Sequence, residues 1–184
     1  MKRTWVWLGM VLVSVAAMGF LVAVWAEDPI ATGVVAGPHE AHQIVCAILE
    51  DDSRMDDGIM HIRNRKLASV VLSDHVAHAG TGTIVSSADI DTVNGRFVYA
   101  GNLEIRPDAL DGYWTGVFTM VMDGDGLRGQ SVLHGNGPDL EGLYVVADLT
   151  PLPPAELAGF ADACGGNPPI AGTRAVGAYY RLRP

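Results

Sequence analysis

The sequence predicts an all-β protein, an antiparallel barrel of eight to nine strands, with a β-sandwich as the alternative. Short runs rich in valine, isoleucine, threonine and aromatic residues recur along the chain, and most are separated by clusters of glycine, asparagine, aspartate or proline. Helical patterns are nearly absent, and this combination is typical of sandwiches and barrels. The predicted strands are Gln43–Leu49, Ile59–Arg63, Leu67–Asp74, Gly82–Val93, Arg96–Ile105, Tyr113–Asp123, Leu127–His134, Leu140–Thr150 and Thr173–Leu182.

Residues 1–26 have the pattern of a signal peptide, which is set aside before the fold is considered. Lys2-Arg3 precedes an apolar run, and Val24-Trp25-Ala26 places small residues third and first before a cleavage point at Glu27. The uncharged stretch from Thr4 to Trp25 has 22 residues, so it is also long enough to span a bilayer as an uncleaved anchor. In both cases the rest of the chain is exported, to the periplasm or cell envelope or to the extracellular space.

The remaining 158 residues, 27–184, fit a single domain with one core. Two of the 12 basic residues lie in the signal segment, so this domain has 10 basic and 21 acidic residues and a formal charge of −11. Such a charge repels nucleic acids and anionic lipid surfaces. Membrane contact is therefore expected only through an uncleaved N-terminal segment, whereas a homo-oligomer is compatible with the composition. No cofactor is expected.

Cys46 and Cys164 are the two cysteines, and an exported chain favours their pairing in an oxidising compartment. Buried free thiols and a metal site are the alternatives, although neither cysteine has a second one at the short spacing that zinc ligands prefer. We therefore predict a Cys46–Cys164 disulfide. It would tie the first core strand to residues 150–169, a loop or short-helix cap that closes one end of the barrel. Pro154 can begin that helix and Gly165-Gly166 can end it.

Two predicted hairpins fix which side chains face inward. In "DTVNGRFVYAGNLEI", Asn94-Gly95 suits a two-residue type I′ turn in which Val93 pairs with Arg96. In "MDGDGL", the turn centres on Gly124-Asp125 or Asp125-Gly126, and both choices keep the same faces together. The inward side chains of these strands that we expect to contact a ligand in the barrel interior are Phe97, Tyr99, Trp114, Phe118, Met120 and Met122. The side chains expected on the outer face are Asp89, Asp91, Arg128, Gln130, Val132 and His134.

The stretch "SVLHGNGPDLEGL" raises the question of whether His134 is a reaction centre or a turn residue. Its outward position and the run Gly135 to Pro138 favour a tight reversal, since glycine and proline supply the backbone angles a turn needs. A phosphate-binding glycine loop would precede a helix, but "LEGLYVVADL" is predicted to be a strand. We therefore interpret this stretch as a turn or bulge.

The other polar motifs are interpreted in the same way. His39 and His42, and likewise His75 and His78, have an i, i+3 spacing that places ligands on one side of a helix but on opposite faces of a strand. Exposed loop histidines are therefore expected, with a zinc or copper site as the alternative. The acidic run "EDDSRMDDG", residues 50–58, lacks the ligand positions of an EF-hand and is predicted to be a solvated loop.

Catalytic motifs are few in this sequence. It has no G-x-S-x-G, no Walker loop and no H-E-x-x-H, since "HEAH" is one residue too short. A set scattered over several strands, Tyr99, Tyr113, Glu104 and Asp148, is the remaining catalytic candidate, although such residues usually pack or face solvent.

The segments "GTGTIV", "GRFVYAGNLEI", "GYWTGVFTMVMDGDGLRG" and "HGNGPDLEGL" resemble the rise-and-turn pattern of small bacterial exported barrels similar to the allene oxide cyclase and dirigent barrels. The resemblance covers roughly residues 80–146 and consists of glycine placement and strand rhythm. It implies an eight-stranded antiparallel barrel with a narrow apolar interior. It provides no catalytic residue, and the long C-terminal loop departs from it.

These observations favour a non-enzymatic exported barrel that binds a small apolar ligand or a protein partner, because an eight-stranded barrel has room for side chains or one small ligand. The alternative is an isomerase or lyase that acts on an apolar substrate inside the barrel.

Overall fold

Eight antiparallel strands close into a barrel in the computed structural model of the protein, which describes residues 38–123 and 126–181. Each strand pairs with the next along the chain, and β8 pairs with β1, so the predicted fold class is confirmed. The predicted signal segment, residues 1–26, lies outside the described residues. The strands are β1 Pro38–Asp56, β2 Ile59–Ser73, β3 Gly80–Asp91, β4 Arg96–Pro107, β5 Tyr113–Asp123, β6 Gly126–Asn136, β7 Leu143–Pro151 and β8 Ala171–Arg181.

The core fills the barrel because strand side chains alternate between its inner and outer faces. In β7 the odd-numbered residues from Leu143 to Leu149 are buried, while Val146, Asp148 and Thr150 are exposed. Trp114 of β5 is completely buried and is among the largest side chains of the core. The interior is therefore a packed apolar core for much of its length.

The β1–β2 hairpin corrects the prediction for the acidic run. Residues 50–56 belong to strand β1, and only Asp57 and Gly58 form the turn. Both turn residues have positive φ, +44° and +79°, and Asp56 pairs with Ile59. This is the two-residue turn with the positive φ angles of type I′. The solvated loop was predicted because this part of the hairpin has exposed side chains on both faces, which hides the alternation of a strand.

A bulge in β2 explains why the sequence suggested two strands, Ile59–Arg63 and Leu67–Asp74, where the structure has one. The pairing with β3 shifts between Ile62 and Arg65, and Asn64 has a φ of +50°. Ile62 and Leu67 are both buried. Uninterrupted alternation would place residues five positions apart on opposite faces of the strand. The bulge thus reverses the alternation, and the side chains of Arg65 and Leu67 share the inner face.

The β3–β4 hairpin keeps the predicted faces but has a different register. Asp91 pairs with Arg96, so the loop has four residues, 92–95, and Val93 does not pair with Arg96 as predicted. The Asp91 carboxylate accepts hydrogen bonds from the backbone N–H groups of Val93 and Asn94, and Thr92 binds the Gly58 carbonyl of the neighbouring turn. These bonds stabilise the longer loop, and a shift of two residues leaves every side chain on its predicted face.

The β5–β6 hairpin follows the first of its two predicted registers. Asp123 pairs with Gly126, which leaves two residues for the turn, and these two lie outside the described residues. Phe118, Met120 and Leu133 are buried as predicted. The predicted outer-face residues of β6, Arg128, Gln130, Val132 and His134, are all exposed.

Between β7 and β8 the chain forms a short helix, α1 (Pro154–Leu157), and a 3-10 helix (Ala158–Cys164). The predicted Cys46–Cys164 disulfide is present, with 5.2 Å between the Cα atoms. This segment covers Ile44, an outward-facing residue of β1 that is completely buried beneath it. The segment therefore packs on the side of the barrel, whereas we predicted that it closes one end. Within the described residues, no helix has the length and apolar character needed to cross a membrane.

Candidate functional site

An apolar cavity occupies the half of the barrel nearest the β1–β2, β3–β4 and β5–β6 hairpins. Its volume is about 300 Å³, at the lower end of the range for small-molecule sites. At its margin Ile48 and Ile170 are half exposed, so the cavity is partly open to solvent. The side chains that line its walls include Val45, Ile62, Leu67, Ile84, Ala88, Ile90, Phe97, Tyr99, Phe118, Met120, Leu127 and Leu149.

Four of the six predicted ligand contacts line this cavity: Phe97, Tyr99, Phe118 and Met120. Met122 is half-buried and does not border it, and Trp114 lies toward the opposite end of the barrel among buried histidines. Period-two alternation identifies which side chains face inward, but it carries no information about depth along the barrel.

Phe118 and Tyr99 form the aromatic part of the cavity wall. Their ring centroids lie 5.1 Å apart at an interplanar angle of 61°, the edge-to-face arrangement that aromatic pairs prefer. Gly101 leaves room for the Phe118 ring, because a Cβ atom at residue 101 would lie only 2.9 Å from Cε1 of the ring. The Phe118 ring therefore has close neighbours in both Tyr99 and Gly101.

Gln43 and Tyr99 are two of the few polar side chains of the wall. Gln43 Nε2 donates to Ser69 Oγ over 3.3 Å, and the Tyr99 hydroxyl lies near the buried Ser86, whose Oγ donates to the Arg65 carbonyl. Burial raises the pKa of Tyr99 above its ordinary value, so its hydroxyl is neutral at physiological pH. Between these groups the wall is apolar.

Arg65 is the one charged side chain among the described residues that line the cavity. Its Nε donates to Oδ1 of Asp51 over 2.9 Å, and its Nη2 donates to Oδ2 of Asp51 over 3.0 Å and to Ser53 Oγ over 2.8 Å. The hydrogen bonds from Arg65 and Ser53 hold the pKa of Asp51 below its usual value. Sequence reasoning missed Arg65, because only the β2 bulge places it on the inner face.

The opposite end of the barrel is closed by residues 74–79, the loop between β2 and β3. Trp114 Nε1 donates to the Ala77 carbonyl over 2.6 Å, and Ala77 and His78 are buried. The ring of His78 stacks on His39 of β1 with centroids 4.6 Å apart, and its Nδ1 lies 3.2 Å from the Tyr179 hydroxyl. This end is therefore an aromatic and histidine plug.

The prediction of exposed loop histidines is wrong for two members of this plug, since His39 and His78 are each about 5% exposed. Burial, together with the neighbouring histidines, lowers the pKa of His39 to about 4 and that of His78 to about 3. Both are neutral at pH 7. Nε2 of His39 is buried without a hydrogen-bond partner among the described residues. Tyr179 of β8 lies next to His39, although 140 positions of the chain separate the two residues. No local sequence pattern shows such a contact.

The metal alternative concerned His39, His42, His75 and His78. His39 and His75 contact each other edge to face, while His42 lies on the outer side of β1 near Glu40, Glu156 and Phe160. In the described part of the chain, no three histidine, cysteine, aspartate or glutamate side chains are arranged to hold a metal ion.

The scattered catalytic candidates do not form a cluster. Tyr99 lines the cavity, whereas Glu104 and Asp148 are on the outer face, where they bind Arg106 and Gln130. Tyr113 also lies outside, beneath the guanidinium of Arg106. The four side chains therefore have no common site.

His134 is an exposed outer-face residue, as the sequence predicted, and its Nε2 lies 3.0 Å from Thr115 Oγ1. The turn follows β6 and includes Leu140, so β7 begins three residues later than predicted. Of the glycines expected to supply positive φ here, Gly137 does so at +91°. Gly135 has another role, since a Cβ atom there would lie 2.8 Å from Cβ of the buried Leu140.

The Cys46–Cys164 disulfide indicates an oxidising, extracytoplasmic environment. Comparisons with protein-family models, with curated proteins and with solved structures give no match to this chain. Fold and site therefore define its class: a disulfide-linked, closed eight-stranded antiparallel barrel with an apolar cavity at one end and a histidine plug at the other.

Proposed function

We propose that the protein is an exported, non-enzymatic barrel that binds a small apolar ligand in the cavity lined by Phe97, Tyr99, Phe118 and Met120. The observation that carries the proposal is the cavity itself, about 300 Å³ of apolar-walled space in an otherwise packed interior. A liquid water molecule occupies about 30 Å³, so the space corresponds to roughly ten non-hydrogen atoms. Burial of apolar ligand surface provides the driving force.

Binding is favoured over the isomerase or lyase alternative by the arrangement of acids and bases. Among the described residues, the cavity wall includes no histidine or carboxylate, and burial raises the pKa of its tyrosine, which stays neutral. Proton transfer in catalysis requires a group of suitable pKa within hydrogen-bond reach of the substrate. The resemblance to allene oxide cyclase and dirigent barrels supports a ligand-holding interior and adds no catalytic residue.

Export is part of the proposal, with a signal peptide over residues 1–26 and a mature chain that begins at Glu27. The disulfide supports it, because such a bond forms and persists outside the cytoplasm. N-terminal sequencing of the protein from its native compartment tests this, and Met1 or Thr4 at the terminus of membrane-associated protein would favour the anchor instead.

Native mass spectrometry of the purified protein, followed by calorimetric titration with 1-octanol, tests binding. Octanol has about nine non-hydrogen atoms, close to the roughly ten that the cavity volume admits. Ala88 lies in the cavity wall and is 4% exposed, so Ala88→Leu should narrow the space and weaken octanol binding strongly. Ala100→Leu, on the outer face of β4, is the matched control and should bind octanol like the wild type. Equal binding to both variants, or none to the wild type, would contradict the proposed site.

A further inference from the structure

The β2 bulge places one cation in an apolar cavity, and this is the observation from which the inference starts. Without the shift between Ile62 and Arg65, the alternation that buries Ile62 would direct Arg65 outward. Bulges commonly re-aim a side chain next to a functional site. A charged group among apolar wall residues marks where the polar end of a bound ligand would lie, because the few polar groups of a pocket fix ligand orientation.

Arg65 is held at the boundary between cavity and solvent. Its side chain is 22% exposed, whereas its partner Asp51 is 37% exposed, so the cation is the more buried member of the pair. Asp51 lies at an irregularity of β1, where the pairing with β2 shifts between Glu50 and Asp52. The carboxylate therefore approaches the guanidinium from the solvent side, and it is the member that a ligand anion could replace or join.

The Arg65 guanidinium has N–H donors that are not bonded to Asp51 or Ser53 and can bind such an anion. An arginine side chain carries five N–H donors, and the bonds to Asp51 and Ser53 use three of them, on Nε and Nη2. Among the described residues, none accepts a hydrogen bond from Nη1. A carboxylate accepts charge-assisted hydrogen bonds from such a group with good geometry.

We propose that the ligand is a medium-chain amphiphile with one terminal carboxylate, its hydrocarbon chain in the cavity and its carboxylate at Arg65. This rests on the proposed ligand-binding function and specifies the ligand class. The cavity admits roughly ten non-hydrogen atoms, which corresponds to octanoate. The formal charge, −9 for the full chain and −11 for residues 27–184, opposes anion binding, but at 0.15 M salt fields are screened over about 8 Å, so the contacts at Arg65 matter more than distant charges.

Calorimetric titration of the full-length protein with octanoate and with 1-octanol tests the proposal, because the two probes share a chain and differ in charge. Octanoate should bind about tenfold tighter than octanol, the difference expected from a charge-assisted contact. Arg65→Gln should reduce octanoate affinity to that of octanol and leave octanol affinity unchanged. Arg63→Gln is the matched control, since Arg63 is the neighbouring arginine and pairs with Asp89 on the outer face.

Asp51→Asn provides a test that does not depend on folding of the Arg65 variant. Removing the competing carboxylate should tighten octanoate binding several-fold and leave octanol binding unchanged. If octanol binds while octanoate binds no tighter, or if Asp51→Asn leaves octanoate affinity unchanged or weakens it, the carboxylate assignment is wrong and the apolar site stands. If neither probe binds the wild type, the proposed function itself fails.

Discussion

Phe118 is a buried aromatic side chain of the cavity wall. It is 7% exposed, packs edge to face on Tyr99 and fills the space above Gly101. Phe118→Ala should lower the free energy of unfolding by about 3–5 kcal/mol, since it removes a large buried ring beside an existing cavity. Urea denaturation measures the change.

His134→Ala is the control for this prediction. His134 is exposed, and its partner Thr115 also accepts a hydrogen bond from Asn136, so the loss should stay within about 0.5 kcal/mol. A loss as large as that of Phe118→Ala would mean that the outer-face assignment of His134 is wrong.

The two plug histidines make stability depend on pH. The pKa values of His39 and His78, about 4 and about 3, lie below the ordinary value of 6.5. Below pH 6.5 the unfolded chain therefore takes up protons that the folded protein excludes, and the free energy of unfolding falls as pH decreases. Between pH 7 and pH 5 we expect a loss of about 1–2 kcal/mol per histidine, measured by denaturant titration at both values.

Substitutions distinguish the contribution of the histidines to this pH dependence from the contribution of the carboxylates. His78→Gln should flatten the pH dependence between pH 7 and pH 5, whereas His134→Gln should not. The pKa values of Asp51 and Asp89 lie below the ordinary value, so their contribution is lost at still lower pH. If the free energy of unfolding of His78→Gln falls between pH 7 and pH 5 as much as that of the wild type, His78 does not cause the pH dependence.

At the scale of elements, the segment between β7 and β8 depends on its disulfide. The bridge spans 118 residues of sequence and holds the 3-10 helix against β1, where Ile44, Leu152 and Cys164 form a small second core. Reduction should lower stability by up to about 4–5 kcal/mol on the chain-entropy account. Thermal melts with and without reductant measure this, and two alkylatable thiols in native, unreduced protein would rule the bridge out.

Ile170, at the end of the segment between β7 and β8, borders the cavity, but the second core lies on the opposite face of β1, so most of the cavity wall should survive reduction. Ile44 faces outward beneath the 3-10 helix, whereas its neighbours Gln43 and Val45 line the cavity. Below the melting transition of the reduced protein, octanol binding should therefore persist. Loss of binding while the barrel is still folded would indicate that the segment shapes the cavity directly.

At the scale of the whole molecule, the barrel is closed by β8, which pairs with both β7 and β1. Gly177 pairs with Ala147 and with His39, and a Cβ atom there would overlap the Val146 carbonyl and lie 2.7 Å from the Ala147 Cα. Gly177→Ala should therefore cost about 1–3 kcal/mol through overpacking of the closing strands. Urea denaturation is again the measurement.

Gly159→Ala is the matched control, because a Cβ atom at residue 159 meets nothing within 4 Å and its φ is not positive. We expect it to be neutral or to stabilise the protein by a few tenths of a kcal/mol, through the lower entropy of the unfolded chain. Equal destabilisation by both variants would show that β8 closure is not the sensitive feature.

The sequence by itself determined the all-β class, the inward faces of β4 to β6 and the disulfide. These follow from local alternation and from the predicted export signal, and a register error of two residues at Asn94-Gly95 did not disturb them. Two structural features, the β2 bulge and the histidine plug, could not be predicted from the sequence. The bulge at Asn64 reverses the alternation within β2 and so brings Arg65 into the cavity.

The histidine plug likewise depends on barrel closure. His39 and Tyr179 stand at opposite ends of the described chain, and the β1–β8 pairing brings their rings within 4.8 Å. Local pattern reports which face a side chain occupies, because strand geometry repeats every two residues. Which distant side chains meet, and which half of the barrel is left empty, is decided only when strand pairing, shear and packing close the barrel.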